Sequence, residues 1–351
     1  PWHAPFGRPV FRCASKRQSS TGGFDGRDSR ERDRMASAAG RVVTDRRQRS
    51  ELSVPASSGR FFAKAAASDA DAVVLDLEDG VAPDRKEAAR AAAIAAINGL
   101  DWGRRILSVR VNGIGTPWFH RDIVDVAEAC PRLDRIVLPK AEEAFDIRFL
   151  AALLDGIERA RGPGRRIGIA ALVETPKGVG KVEEIAAAHP RVETVIFGLG
   201  DYMAEMRTPD DTVGLPNPDY AMPGDPPGLL DQWHYTLARI ANACRAAGVL
   251  PIDAVYADYR DMAGLRASAR RSRALGYAGK WAIHPDQLPV INEVFAPGEA
   301  RIAWAHKVLA LLARAEAEGA GAAGEGGVMV DTVHAWMARE ILQQAGEDAQ
   351  S

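Results

Sequence analysis

Apolar and polar residues alternate in blocks along this chain from about residue 50 onward. Eight short runs are almost continuously apolar, as expected of strands buried on both faces of a parallel sheet. They span residues 51–56, 71–78, 105–112, 135–140, 167–174, 194–201, 250–258 and 279–285. Amphipathic stretches separate them, of which 84–97 has Asp84 as a candidate N-cap and 232–248 has Gly248 as a candidate stop.

This alternation predicts an α/β fold, a TIM (β/α)8 barrel with a small C-terminal extension subdomain. A doubly wound open sheet is the alternative, but no GxGxxG motif follows the first predicted strand. The connection 202–231 is long and rich in Pro, Gly and Asp. We expect it either to lie over the C-terminal face of the barrel and bind substrate, or to be a surface insertion.

The two ends of the chain differ from the barrel segment, which we place at residues 47–297. Residues 1–46 are polar, rich in Gly, Ser and Arg and without periodicity, which predicts a disordered extension. Our hypothesis is that residues 1–34 are an upstream extension or tag and that Met35 is a natural start. Residues 298–351 predict a helix, a flexible Gly/Ala linker at 320–327, and a short strand with a helix that together form a lid.

Composition narrows the function classes. The chain has 351 residues, 46% of them hydrophobic, and a net charge of −2, which argues against a general nucleic-acid binder. No apolar run approaches the roughly 20 residues that span a membrane. The three cysteines, Cys13, Cys130 and Cys244, form no CxxC pair. This indicates a reducing compartment, either the cytoplasm or, in a eukaryotic source, the mitochondrial matrix.

Two carboxylates carry the first chemical prediction. Glu174 and Asp201 each close a predicted strand, and the two strands are consecutive. Neighbouring parallel strands lie roughly 4.8 Å apart, so both acids stand at the same edge of the sheet. Two oxygen ligands with open coordination positions suit Mg²⁺. The sequence therefore predicts a magnesium-dependent enzyme.

Further polar residues follow the other predicted strands. Arg110 is a candidate clamp for a substrate carboxylate, because its planar fork matches that group. Glu78 and Asp79 are candidates for ordering metal-bound waters, holding Arg110 or moving protons. We interpret His284, which precedes a proline, as a loop anchor rather than a base.

Several motifs in the same order resemble the HpcH/HpaI aldolase and citrate lyase β-subunit family. They are AVVLDLEDGVAPDRKEAAR, VRVNG, VLPKAE, ALVETPKGV, IFGLGDY and GKWAIHPDQLPVINEVFAP. The likeness extends from about Arg49 to about Leu342, and residues 231–261 resemble the malyl-CoA and citramalyl-CoA lyase branch. The resemblance implies a TIM barrel, Mg²⁺ at Glu174 and Asp201, and substrate carboxylate binding by Arg110.

The resemblance also implies an acyl-CoA site. Arg60 and Lys64 stand where relatives place basic residues against CoA phosphates, and Ile252 and Asp253 belong to the family's IDG turn. The sequence departs from the family pattern at two positions, where Ala56 and Ala254 replace glycines. A side chain at these positions affects how closely the backbone can approach the ligand.

In the lyase branch a C-terminal aspartate acts as acid/base in the active site of an adjacent subunit, and this role falls on Asp331. Without the resemblance, Asp331 would be assigned as a helix N-cap. The implied assembly is a homotrimer or homohexamer.

The implied reaction is reversible Claisen cleavage of a 3-hydroxyacyl-CoA. The substrates are malyl-CoA, methylmalyl-CoA or citramalyl-CoA, and the products are acetyl-CoA or propionyl-CoA with a 2-oxo acid, glyoxylate or pyruvate. Alternatives that stay open are a malyl-CoA thioesterase, a citryl-CoA lyase subunit of a larger complex, a regulatory barrel that binds CoA esters, and an aldolase acting on non-CoA substrates.

Overall fold

A computed structural model describes residues 46–220, 231–325 and 328–347, and its central feature is a closed barrel of eight parallel strands. The strands follow chain order around the barrel, and β1 pairs with both β2 and β8. This closure confirms the predicted TIM barrel and excludes the open sheet. The strands are β1 Ser50–Pro55, β2 Ala72–Asp76, β3 Ile106–Arg110, β4 Arg135–Leu138, β5 Gly168–Val173, β6 Val192–Phe197, β7 Leu250–Asp253 and β8 Gly279–Ala282.

Helices follow the strands and cover the barrel. Those that belong to the barrel are α1 Phe62–Ala66, α2 Lys86–Gly99, α3 Phe119–Ala129, α4 Ala144–Arg161, α5 Pro176–Gly180, α6 Val182–Ala187, α7 Leu199–Met206, α8 His234–Ala247, α9 Met262–Ala274 and α10 Leu288–Phe295. Gly248 ends α8 in the left-handed conformation, as predicted. The N-cap prediction for Asp84 is wrong, because Asp84 lies in a 3₁₀ turn, Pro83–Arg85, and α2 begins only after it.

Two apolar layers result from the alternation of side chains along each strand. One set fills the interior of the barrel: Val74, Val137, Ala170, Leu172, Ile196, Ile252 and Trp281. The alternate strand residues, such as Val73, Leu107 and Val195, join a larger cluster with the apolar faces of the helices. Burial on both faces explains why the strands are continuously apolar in sequence.

The predicted sixth strand is too long at its C-terminal end. β6 stops at Phe197, and Asp201 lies in the first turn of α7 rather than on a strand. The same helix occupies the start of the predicted connection 202–231, which also contains a short 3₁₀ turn, Pro218–Tyr220. Residues 221–230 of that connection lie outside the described part of the chain.

The C-terminal segment has its own apolar cluster. It contains α11 Glu299–Ala317, the antiparallel pair β9 Ala323–Glu325 and β10 Val328–Val330, and α12 Thr332–Ala345. The predicted strand and helix are therefore present, but the predicted flexible linker 320–327 is wrong in part because it contains β9. The cluster is formed by Ala305, Val308, Val330, Ala338, Ile341 and Leu342.

The C-terminal half of α12 contacts residues that precede barrel strands in the sequence. The Arg47 guanidinium, just before β1, donates to the Ala345 carbonyl, and Arg245, before β7, lies 3.8 Å from the Glu340 carboxylate. This end of α12 therefore lies at the N-terminal face of the barrel, opposite the mouth.

Of the predicted extension 1–46, only Arg46 falls within the described residues. Among the helices of the described ranges, none has the length and apolar character needed to cross a membrane.

Candidate active site at the barrel mouth

Glu174 directly follows β5, and the chain turns sharply after it. Thr175 accepts a hydrogen bond from the Gly178 amide at 3.0 Å and Pro176 begins α5, so the strand cannot continue. The Glu174 carboxylate is buried, with 2% of its side chain exposed, and its Oε1 accepts the Lys140 amide at 2.8 Å. Lys140 has a φ of 49°, an uncommon conformation for a residue with a side chain, of the kind found at functional sites.

The Lys140 ammonium lies among three carboxylates. Its Nζ is 3.0 Å from Asp201 Oδ1, 3.4 Å from Glu78 Oε1 and 4.0 Å from Glu174 Oε1. The structure thus brings Glu174 and Asp201 together around one cationic position, although Asp201 reaches it from α7 rather than from a strand.

The electrostatics of this cluster follow from burial and crowding. Burial, followed by the like charges of Glu78 and Asp201, raises the pKa of Glu174 to about 8. Burial also raises the pKa of Glu78 above its ordinary value. For Lys140, burial opposes the charged form, but the surrounding carboxylates raise its pKa above the ordinary value. The site therefore carries more negative charge than its own lysine neutralises.

Gly198 is a site residue that the sequence analysis missed. It lies between β6 and α7, and a Cβ built on it would be 2.5 Å from Glu174 Oε2 and would overlap the Glu174 Cβ. Only glycine leaves space for the Glu174 side chain in its observed position. The signal in the sequence was the small residue directly before Leu199 in the IFGLGDY motif.

Arg110, at the end of β3, is held by an aspartate to which the sequence analysis gave no role. Asp76 accepts from Arg110 Nε and Nη2, both at 2.7 Å, and also from the Glu78 and Gly80 amides. Burial acts to raise the pKa of Asp76, but the Arg110 guanidinium and the two amides lower it below its ordinary value. The guanidinium also lies 5.5 Å from the centre of the Trp281 ring.

The remaining edge of Arg110 faces the two acids that follow β2. Its Nη1 lies 3.0 Å from Glu78 Oε2 and 3.4 Å from Asp79 Oδ2, and 58% of the Asp79 side chain is exposed. Of the three roles predicted for these acids, holding Arg110 fits this geometry, and ordering metal-bound waters and moving protons stay predictions. Arg110 is thus bonded to Asp76 along one edge and paired with Glu78 and Asp79 along the other.

The donor set fits a hard divalent cation. Five carboxylates lie at this mouth, those of Asp76, Glu78, Asp79, Glu174 and Asp201. Three cationic side chains lie among them, those of Lys86, Arg110 and Lys140. Carboxylate oxygens are preferred Mg²⁺ ligands, and excess negative charge favours a bound cation. Within the described ranges, no three His, Cys, Asp or Glu side chains enclose a metal site by themselves. A bound Mg²⁺ would therefore draw on water or substrate for further ligands.

Arg60 and Lys64 lie on the segment that follows β1, in a 3₁₀ turn and in α1 respectively. Both side chains are exposed, and neither has an ion-pair partner among the described residues. Arg60 packs over the Phe61 ring at 4.7 Å. Two cations one helical turn apart are thus available to an anionic ligand beside the mouth.

Ile252 and Asp253 are both buried. Ile252 packs inside the barrel, whereas Asp253 Oδ2 accepts from Lys280 Nζ at 2.6 Å and its Oδ1 accepts from the Ala254 amide at 2.8 Å. The Asp253 carboxylate is therefore engaged within the fold, and the substrate-binding assignment of this turn stays a prediction.

Asp331 and His284 both cap helices. Asp331 Oδ1 accepts from the Val333 amide at 3.0 Å and from the His334 ring, which lowers the pKa of Asp331. His284 accepts from the Asp286 amide at 3.2 Å and stacks on Tyr259, which confirms its anchoring role. The acid/base role of Asp331 stays a prediction.

Comparison with known proteins identifies the class to which this fold and site belong. The family described as HpcH/HpaI aldolase/citrate lyase matches residues 49–285, and the chain belongs to this family. It is an oxo-acid lyase that acts on acyl-CoA.

Two curated relatives and one solved structure illustrate the likeness. The L-malyl-CoA/β-methylmalyl-CoA lyase of Cereibacter sphaeroides is 44% identical over 302 residues, which cover 86% of this chain and 95% of that protein. The (3S)-malyl-CoA thioesterase of the same species is 35% identical over 299 residues, covering 85% and 94%. CitE of Mycobacterium tuberculosis, solved with magnesium, acetoacetate and coenzyme A, is 34% identical with a TM-score of 0.67, covering 87% and 100%.

Proposed function

We propose that this enzyme reversibly cleaves malyl-CoA, or its close homologues methylmalyl-CoA and citramalyl-CoA. The products are acetyl-CoA or propionyl-CoA and a 2-oxo acid, glyoxylate or pyruvate. The observation that carries the proposal is the convergence of Glu78, Glu174 and Asp201 on one cationic position beside Arg110. The 44% identity to the C. sphaeroides lyase supports the substrate class.

We assign Glu174 and Asp201 as the residues that hold Mg²⁺, a metal present in the CitE structure. The bound ion supplies a Lewis acid and a template for substrate oxygens. Arg110 supports the carboxylate that becomes part of the 2-oxo acid, and Asp76 keeps the guanidinium in place through its two hydrogen bonds.

The chain's own groups then move the protons. Glu78, beside Arg110, takes the proton of the substrate hydroxyl, since burial raises its pKa and makes the carboxylate a better base. The bond between the carbinol carbon and the carbon next to the thioester breaks, and its electron pair passes into the thioester enolate. Asp331 takes a proton from solvent and gives it to that enolate carbon, and Glu78 releases to solvent the proton that it took. In the condensation direction Asp331 removes the same proton.

Arg60 and Lys64 bind the CoA phosphates in this proposal. Both cations are exposed beside the mouth and lack ion-pair partners in the described part of the chain, so they are free to meet an anion. The replacement of Arg60 and Lys64 by alanine is expected to raise the KM for the CoA ester more than it lowers kcat.

We also propose that Asp331 acts in a neighbouring subunit of a homotrimer or homohexamer. The end of α12 lies at the barrel face opposite the mouth, and the segment around Asp331 exposes apolar side chains that fit a subunit contact. These are Met329, Val333, Trp336 and Met337. The buried thiols Cys130 and Cys244 fit a reducing compartment, the cytoplasm or the mitochondrial matrix.

Product analysis tests the proposal. The enzyme is incubated with malyl-CoA, methylmalyl-CoA, citramalyl-CoA or citryl-CoA, each with and without Mg²⁺. Glyoxylate together with acetyl-CoA from malyl-CoA supports the lyase. Malate and free CoA without glyoxylate would instead establish a thioesterase, the candidate that the 35% identical C. sphaeroides relative favours. Turnover of citryl-CoA alone would point to a citrate lyase subunit.

A further inference from the structure

We propose that an arginine-lined cavity at the N-terminal face of the barrel binds a multivalent phosphate anion of the di- or triphosphate type. The cavity has a volume of about 450 Å³, within the range of small-molecule sites. It lies at the face opposite the mouth, so it is separate from the proposed CoA site. Its lining residues are Arg46, Arg47, Ala70, Asp71, Arg104, Arg105, Gln343 and Gly346.

Most of the arginines that line this cavity have no carboxylate partner among the described residues. Arg46 is paired with Asp134 at 2.7 Å. Arg47, Arg104 and Arg105, by contrast, have no carboxylate partner within the described ranges. Three guanidinium groups without a described carboxylate partner therefore line one cavity, and a multivalent anion bound there would offset their charge.

The acid on the rim of the cavity does not supply the missing charge. Asp71 binds Arg49 through two hydrogen bonds, from Nε at 2.8 Å and from Nη2 at 2.9 Å. This pair raises the pKa of Arg49, to which nearby Asp69 also contributes. Arg49 therefore neutralises Asp71, the one acid among the lining residues, and Asp71 does not neutralise Arg47, Arg104 or Arg105.

Two of the unpaired arginines are held in place by backbone carbonyls. Arg105 Nε donates to the Ser68 carbonyl at 3.0 Å, and its Nη1 donates to the Trp102 carbonyl at 3.4 Å. Arg47 donates to the Ala345 carbonyl at the end of α12. Carbonyls orient a guanidinium without cancelling its full charge, so Arg105 still attracts an anion although its Nε and Nη2 both donate to Ser68.

The cavity wall comes from two parts of the fold. Arg46 and Arg47 precede β1 and Arg104 and Arg105 precede β3, whereas Gly346 follows α12. Gly346 has a φ of 78°, and a Cβ on it would overlap the Arg47 guanidinium, so glycine lets Arg47 lie against the helix end. A bound anion would therefore bridge the barrel and the helix that begins after Asp331.

Calorimetry on the full chain tests the site, with inorganic tripolyphosphate as the probe. Because the proposed CoA site also attracts phosphate, the titration uses an Arg60→Ala/Lys64→Ala background in EDTA at about 0.15 M salt. We expect one tripolyphosphate per chain and a rise in the unfolding temperature on binding. Absence of saturable binding would overturn the proposal.

Two pairs of arginine substitutions, one in the cavity and one elsewhere on the surface, then show where tripolyphosphate binds. Adding Arg47→Ala/Arg104→Ala is expected to weaken the affinity at least about tenfold, as the loss of charge-assisted hydrogen bonds predicts. Arg148→Ala/Arg159→Ala removes two exposed arginines from α4 and is expected to leave the affinity within about twofold. Equal weakening in both pairs would contradict the proposal. If the first pair impairs folding, Arg104→Gln alone replaces it, since Arg104 is exposed and has no hydrogen bond within the described residues.

Discussion

Gly198 and Glu174 are so close that no side chain larger than hydrogen fits between them. A Cβ on Gly198 would lie 2.5 Å from Glu174 Oε2 and would overlap the Glu174 Cβ. The tight passage from β6 into α7 thus determines where the Glu174 carboxylate points. At Gly200, two residues on, the nearest atom to a built Cβ is Val213 Cγ2 at 3.7 Å, an ordinary contact.

Gly198→Ala is expected to lower the Mg²⁺-dependent kcat/KM by on the order of a hundredfold, because it displaces the carboxylate that we propose binds Mg²⁺. Gly200→Ala is the matched control and is expected to keep nearly full activity. Steady-state kinetics with both variants, with unfolding temperatures to confirm folding, checks this prediction. Equal activity of the two variants would show that the position of Glu174 is unimportant for turnover.

The barrel could be predicted because its strands are buried on both faces, so most positions in each of the eight runs are apolar. Glu174 and Asp201 were found because each is the last residue of such a run. The strand that contains Asp201 was predicted too long, since Leu199 at the start of α7 is as apolar as a strand residue. Hydrophobic pattern alone does not separate the end of a buried strand from the first turn of a buried helix.

Which side chains pair with each other could not be predicted from the sequence. Asp76 is one of several acids near the ends of the predicted strands, and nothing in the neighbouring sequence indicates that it occupies one edge of Arg110. The place of the Lys140 ammonium among three acids depends equally on the closure of the barrel. The β9 strand was missed because a run of alanine and glycine has low strand propensity, and its pairing with β10 overrides that preference.

The Asp331→Asn substitution distinguishes the role of Asp331 as a helix cap from its proposed role in proton transfer. Asparagine caps helices about as well as aspartate, so α12 is expected to keep its stability. An amide does not accept the proton of acetyl-CoA, so kcat is expected to fall at least about a hundredfold with little change in KM. Isotope exchange from the acetyl-CoA methyl group checks the step directly. Unchanged kcat and exchange would limit Asp331 to its capping role.

Asp76→Asn is expected to lower the free energy of unfolding at pH 7 by about 3 kcal/mol, because it leaves the buried Arg110 without its carboxylate. The folded-state pKa of Asp76 lies below the unfolded value. The stabilisation is thus present above about pH 4 and is lost as the pH falls through the folded-state pKa. Urea unfolding should show that the two proteins converge in stability in acid.

Glu293→Gln, which breaks an exposed pair with Arg266, is the control for this experiment and should change stability little at either pH. A constant difference between wild type and Asp76→Asn from pH 7 to acid would contradict the assigned ion pair.

Cys130 and Cys244 are expected to resist modification in the folded protein. Burial raises the pKa of Cys130 to about 11 and that of Cys244 to about 12, and both side chains are inaccessible. In a Cys13→Ser background, Ellman's reagent at about pH 8 should detect no thiol until denaturant is added, and two thiols afterwards. Rapid modification of either thiol in the native state would show that its surroundings are open.

The central claim is that Glu174 and Asp201 hold the Mg²⁺ on which cleavage of a malyl-CoA-type ester depends. The most direct test is glyoxylate release from malyl-CoA with increasing Mg²⁺, measured for wild type, Glu174→Gln/Asp201→Asn and the control Glu293→Gln. We predict that Mg²⁺ activates the wild type and the control in a saturable manner and that EDTA abolishes this activity. The double variant is expected to be at least about a hundredfold slower at every Mg²⁺ concentration. A double variant with the wild-type rate and the same Mg²⁺ dependence would contradict the account.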